Sequence, residues 1–210
     1  MDLDFHPRNG VVHKRRTLTT MEVHSPWMRR LSYYLVVLLV VAQTVLWWRA
    51  CAWWSELPLR IPIHFNFAGE PDGWANKSVL AWFGLPSISL VMTAFLLGIG
   101  AAIGVMARNS PALINVPRKE IFMQLSPEGR LLIIAPTRVF LMWVAALISM
   151  LFVWIVEGSA RVAMGIDSTV PIWPVFVLLG LIFGTLPFFM SYTKHTINAQ
   201  AVREGLLKVG

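Results

Sequence analysis

Four long apolar runs decide most of what this chain can become. Leu31–Trp54, Val79–Met106, Val139–Val156 and Ile172–Tyr192 meet the length of roughly 17–25 residues at which an apolar helix crosses a bilayer. In lipid the backbone must satisfy its own hydrogen bonds, so runs of this length are read as helices. The expected fold class is an all-α integral membrane protein with four transmembrane helices. Composition agrees: the chain is 56% hydrophobic and 14% charged, against about a quarter charged in average soluble chains. No internal repeat is visible. Cys51 is the only cysteine, which excludes an intrachain disulfide and a thiolate metal cluster. In its apolar setting it reads as a small packed thiol.

Basic residues set the expected sides. Arg8, Lys14, Arg15, Arg16, Arg29 and Arg30 precede the first run, and Arg108, Arg118, Lys119, Arg130 and Arg138 lie between the second and third. Lys194, Arg203 and Lys208 follow the fourth. The opposite side carries only Arg60, Lys77 and Arg161. The positive-inside rule therefore predicts both termini and the middle loop in the cytoplasm, with a compact extracytoplasmic loop between helices one and two. The expected organisation is a basic cytoplasmic tail over residues 1–30, a transmembrane domain over 31–192 and a second cytoplasmic tail over 193–210. Within the domain, 55–78 form the outer loop and 107–137 the cytoplasmic loop. The net charge of +7 is thus assigned to membrane anchoring, with the lipid bilayer as partner and no nucleic acid. Ala50-Cys51-Ala52 has a small-x-small form, but the leading basic region is long and Arg49 adjoins the site, so the first run is read as an uncleaved span.

Several features inside the spans carry expectations. Trp47, Trp48, Trp53, Trp54, Trp82, Trp154 and Trp173 are placed near the outer interface, where indoles anchor a protein to a bilayer. Arg49 can snorkel to headgroups or pair with Glu56 or Glu157. Gly100/Gly104 and Gly180/Gly184 have small-xxx-small spacing, expected to pack within the bundle. No Asp, Glu, Lys or His lies in the middle of a span, which argues against an ion pump or proton-coupled transporter.

Glu56–Lys77 is the one dense polar segment, punctuated by Pro and Gly. Ile61, Ile63, Phe65 and Phe67 alternate with Pro62, His64, Asn66 and Ala68, the period of an extended segment with one apolar face. Pro71-Asp72-Gly73 has the chemistry of a tight turn, and Ser78 that of an N-cap. Such a turn would return Asp72 toward His64 and Asn66, with Glu70 and Lys77 at the margin. Three readings stay open: a self-bonded loop, a recognition surface for an extracytoplasmic ligand or peptide, or His64 with Asp72 or Glu70 holding a metal or acting as an acid–base pair. A lone His with two carboxylates lacks a metal-ligand spacing. No hydrolase elbow, phosphate loop or zinc-protease motif is present. The chain is therefore expected to be neither an enzyme nor a cofactor carrier.

The run LPLRIPIHFNFAGEPDGWANK resembles the bacterial membrane domain of unknown function in the N-terminal part of SdpI-type immunity proteins. The family pattern, roughly LP..IP.H.N..G..DG...K, is met at Leu57, Pro58, Ile61, Pro62, His64, Asn66, Gly69, Asp72, Gly73 and Lys77. In the middle loop, Asn115, Val116, Pro117, Arg118, Lys119 and Glu120 resemble a second element, N-[IL]-P-N-K-[DE], with Arg118 replacing the usual Asn. The resemblance covers about Ser32 to Val156. It implies a multi-pass protein of the bacterial inner membrane that senses, or gives immunity to, a peptide toxin. Pro62, His64, Asn66, Gly69, Asp72, Gly73 and Lys77 would recognise the ligand or structure the loop. Asn115, Pro117, Lys119 and Glu120 would meet a cytoplasmic partner. SdpI-type proteins carry further spans after this domain. The alternative function is an accessory subunit of a membrane transport complex.

Downstream, Ser126-Pro127-Glu128 is a helix start, with Ser as N-cap and Pro at the first position. The apolar stretch that follows is expected to lie in the interface until Pro136 breaks it from the third span. Asn198–Lys208 is helix-compatible.

Overall fold

The computed structural model describes residues 26–207; the expected tail basics before residue 26 and Lys208 lie outside them. Helix α1 spans Pro26–Trp54, α2 Val79–Asn109, α4 Pro127–Ala163 and α5 Trp173–Arg203, with a short α3 at Lys119–Gln124. All four long helices are long and apolar enough to cross a membrane. Each outruns the expected span. α1 starts earlier, and α5 continues through Asn198 to Arg203.

The fold is mostly helical, as expected, but it also holds one small sheet. The segment after α1 forms a two-stranded antiparallel hairpin, β1 at Arg60–Phe65 and β2 at Pro71–Asn76. The expected turn at Pro71-Asp72-Gly73 is misplaced, because those residues lie within β2. The chain reverses at residues 66–70 instead. There the Asn66 side chain accepts hydrogen bonds from the N–H groups of Ala68 and Glu70, and Gly69 takes φ +80°. The expected apolar face is also broken. Register shifts flank His64, so Ile61 and Pro62 are both buried while Ile63 and Phe67 are exposed.

Pro136 does not interrupt a helix. It lies inside the 37-residue α4, which runs from the N-cap at Ser126 through the whole third span. A proline removes one backbone bond, but unwinding in a bilayer would expose many more. Ser126 and Ser78 cap as expected, accepting from the N–H of Gly129 and Ala81. An N-cap of this kind contributes about 1 kcal/mol.

α4 is the central element. α1, α2 and α5 all pack on it, and α2 and α5 make no substantial contact with each other. Three apolar clusters are stacked along the bundle. Leu46, Ala50, Ile61, Trp82 and Val156 lie under the hairpin, and Leu35, Leu39, Val139 and Ala146 form the middle cluster. Phe122, Leu125, Ile133 and Ile197 close the far end, where α3 and the end of α5 come together. Of the two glycine pairs, Gly100 and Gly104 do face α4, at Leu141 and Arg138. Gly180 and Gly184 do not pack within the bundle, since a Cβ at either would meet nothing within 4 Å. α5 touches the other helices chiefly through its lower turns, leaving its Gly face outward.

Candidate functional site

The hairpin is built from bonds among its own polar residues. Besides holding Ala68 and Glu70, Asn66 donates from its amide to the Glu70 carboxylate at 2.9 Å. Its backbone N–H also bonds the Glu70 carbonyl at 2.9 Å. Lys77 donates to the Leu57 carbonyl at 3.0 Å and sits 4.7 Å above the Trp54 ring. It thereby closes the hairpin base onto the end of α1. His64 Nδ1 and Asp72 Oδ1 are 2.5 Å apart across the strands, with the His64 side chain 71% exposed. Opposite His64 the partner strand has glycine at 73, where a Cβ would come 2.8 Å from the Cβ of His64. His64 and Asp72 are thus brought together, whereas Asn66 bonds Glu70 and Lys77 bonds the helix end. Among the described residues, no three His, Cys, Asp or Glu side chains come together as a metal set.

The tip of the hairpin is tied to the α4–α5 connection. The Val170 N–H donates to the Gly69 carbonyl at 2.8 Å, and a Cβ at Gly69 would overlap the Val170 carbonyl oxygen. On its other side Val170 presses on α4, where a Cβ at Gly158 would lie 2.8 Å from its side chain. Arg161 and Asp167 brace the same connection with a two-point ion pair at 2.5 and 3.1 Å. Arg161 holds the Asp167 carboxyl below its ordinary range, chiefly through that hydrogen bond.

Beneath this roof lies a cavity of about 310 Å³. β1 covers it; Trp82 and Leu85 of α2, Val156 and Ser159 of α4, and Val175 of α5 form its walls. Its polar lining comes from His64, Asn66 and Ser159. A largely apolar, partly open cavity with a few fixed polar groups is the general form of a small-molecule site. Sequence reasoning found Pro62, His64 and Asn66, read Trp82 as an interface anchor instead of a cavity wall, and did not single out Ser159, Val170 or Val175. Trp82, Ser159, Val170 and Val175 come from distant elements and have no shared spacing that would signal a site.

Just below, Arg49 and Glu157 form a two-point pair at 2.7 and 2.8 Å between α1 and α4, with Trp53 donating to the same carboxylate at 3.0 Å. Of the options open for Arg49, this is the one adopted. Several tryptophans read as bilayer anchors also have internal partners. Trp82 donates to the Ala50 carbonyl at 2.8 Å, and Trp154 to the Pro171 carbonyl at 3.1 Å. Trp48 and Trp173 remain largely exposed.

At the far end, Asn115, Pro117, Lys119 and Glu120 are all exposed. Arg118 precedes α3 at φ 52°, ψ 48°, a left-handed conformation that Asn adopts more readily than other non-glycine residues. Arg118 tolerates the position while donating to Asn198 of α5 at 2.8 Å. Glu204, just past α5, accepts from the Ser126 N–H and hydroxyl at 2.8 Å each and from Gln200 at 2.8 Å.

The sequence matches the domain of unknown function DUF1648 over residues 38–90, from the middle of α1 through the hairpin to the first third of α2. No curated protein and no solved structure matches the chain.

Proposed function

We propose that the chain is a multi-pass protein of the bacterial inner membrane, with both termini inside, that recognises a peptide toxin or other envelope ligand at its hairpin end without catalysing a reaction. The observation carrying this reading is the cavity of about 310 Å³ beneath a hairpin fixed at both tip and base. A braced roof over a partly open apolar cavity suits recognition, since little ordering remains to be done on binding. The uneven distribution of basic residues supports the hairpin facing outward. The resemblance of the loop to that of SdpI-type proteins is what suggests an immunity or signalling role, with the exposed Asn115–Glu120 segment turned toward a cytoplasmic partner.

The test compares cells lacking the chain with cells carrying it, challenged with a panel of secreted antimicrobial peptides. Survival should depend on the chain and fall in His64→Ala/Asp72→Ala at an unchanged amount of membrane protein. Equal survival of all strains across the panel counts against the reading.

One observation favours a second reading, an accessory subunit of a membrane complex: Gly180 and Gly184 leave an open small-residue face on α5. A stoichiometric partner that co-purifies with the wild type and is lost in Gly184→Leu would favour it.

A further inference from the structure

We infer that the cavity under β1 receives a neutral-headed, single-chain amphiphile from the bilayer, its hydrogen-bonding group on Ser159 and its chain against Leu85, Ile155 and Val175. This deepens the ligand-recognition reading and rests on it. Ser159 is 3% exposed and lines the cavity, and its hydroxyl has no hydrogen-bond partner among the described residues. Helical serines commonly return their hydroxyl to the carbonyl four residues earlier. Ser149 of the same helix does so, donating to Ala145 at 2.8 Å. Ser159 instead leaves its hydroxyl free of protein partners in the wall of the cavity, available to a ligand there.

The cavity is graded in polarity along the bundle axis. His64 and Asn66 lie at its roof. Ser159 sits about 6 Å below the end of α4, and Leu85 about 9 Å into α2, at the rise of an α-helix. Below Ser159 the lining is apolar. α2 and α5 both rest on α4 without substantial mutual contact, so the gap between them adjoins lipid. An amphiphile has the same order of head, linking group and chain. Its head is neutral, because the only titratable residue in the lining is His64, already facing Asp72. The volume of about 310 Å³ holds on the order of ten water-sized groups, enough for one linking group and the start of one chain.

The test uses the full chain in nanodiscs with a monoacylglycerol carrying a diazirine in its chain, and adducts mapped by mass spectrometry. Adducts should concentrate at Leu85, Ile155 and Val175 and be displaced by excess unlabelled monoacylglycerol. Ser159→Ala should weaken that competition about fivefold, the factor of one net hydrogen bond. Its thermal midpoint should be kept, since the hydroxyl bonds no other protein group. Val175→Trp, which plugs the cavity, should abolish labelling, and Gly184→Leu, on the open face of α5, should leave it intact. Adducts spread evenly over lipid-facing residues would overturn the inference, as would labelling that ignores both cavity variants. Displacement by an apolar peptide but not by monoacylglycerol also overturns it, making the occupant a peptide side chain. If the cavity labels as expected while cells show no survival difference, the sensing role falls and the site stands. Survival without cavity labelling removes the amphiphile and leaves the hairpin as the recognising surface.

Discussion

Gly69 and Val170 meet so closely that the N–H of one donates to the carbonyl of the other at 2.8 Å, with no room for a side chain at position 69. This single contact joins the hairpin tip to the connection between α4 and α5, and it sets the height of the roof over the cavity. Gly69 also holds φ +80°, so its replacement is strained twice. Gly69→Ala should cost about 2 kcal/mol, combining left-handed strain of about 1 kcal/mol with a lost or stretched hydrogen bond of similar size. Gly165 has φ +69° but open space around it, so Gly165→Ala should show the strain alone. Thermal unfolding of both variants in detergent checks this. Equal losses would mean that the tip contact contributes nothing.

The Arg49–Glu157 pair offers a second measurement. Both side chains are about 30% exposed, and they pair across the upper turns of α1 and α4 beside the apolar cluster of Leu46, Ala50 and Val156. Removing one partner leaves a charge without its counter-ion in a poorly solvated place, which costs about 3 kcal/mol in buried pairs and less here because of the partial exposure. Arg49→Leu and Glu157→Leu should each destabilise by roughly 2 kcal/mol, while the double variant should recover most of the loss. Additive single effects in a double-mutant cycle would show that the pair is not coupled.

The spans were legible because lipid leaves a long apolar run few alternatives to a helix. Their ends were less so. The mixed sequence around Lys194 and Asn198 continues α5 by packing Ile197 against Phe122 and Ile133, a tertiary contact with no local sign. The hairpin was half legible. Its extended start was readable, but its turn was assigned to Pro71-Asp72-Gly73 because that tripeptide has stronger turn chemistry than Asn66–Glu70. The bonds from Asn66 decide the matter, and the Asn followed three residues later by Gly was the available signal. Gln43 was passed over in the search for charged residues inside spans. Its amide lies within 3.0–3.1 Å of the hydroxyls of Ser89, Thr93 and Ser149, joining α1, α2 and α4 at mid-bundle. Of the cavity only the β1 residues Pro62, His64 and Asn66 were legible; its other walls are brought together by tertiary packing, with Val170 wedged between Gly69 and Gly158.

The conformation of Arg118 makes a third prediction. Arg118→Asn should stabilise the far end or leave it unchanged, because relief of left-handed strain of about 1 kcal/mol offsets the loss of an exposed bond to Asn198. Arg118→Val should instead destabilise, since a β-branched residue is poorly accommodated at positive φ. Limited proteolysis between residues 111 and 126 reads both. If the Asn variant is cleaved faster than the wild type, the contact with Asn198 matters more than the backbone.

Glu204 ties the end of α5 to the start of α4, and its titration should be visible as a pH dependence of that junction. Burial pushes its carboxyl upward, but hydrogen bonds from Gln200 and from the Ser126 backbone and hydroxyl, with Arg130 nearby, more than offset this. Its folded value is therefore depressed below the ordinary carboxylate range. A depressed value means that the ionised carboxylate stabilises the junction above the unfolded pKa, and that this contribution is lost as pH falls through the folded one. The far end should loosen at acidic pH, while Glu204→Gln should be weaker at neutral pH and flatter in its response. Hydrogen exchange at residues 126–130 between pH 7 and pH 3 measures it, with exchange corrected for its intrinsic pH dependence. Gly129→Ala should reproduce the neutral-pH weakening without touching a charge, because its added Cβ would occupy the place of the Glu204 carboxylate. A wild-type junction whose protection is the same at both ends of that range would show that Glu204 does not hold it.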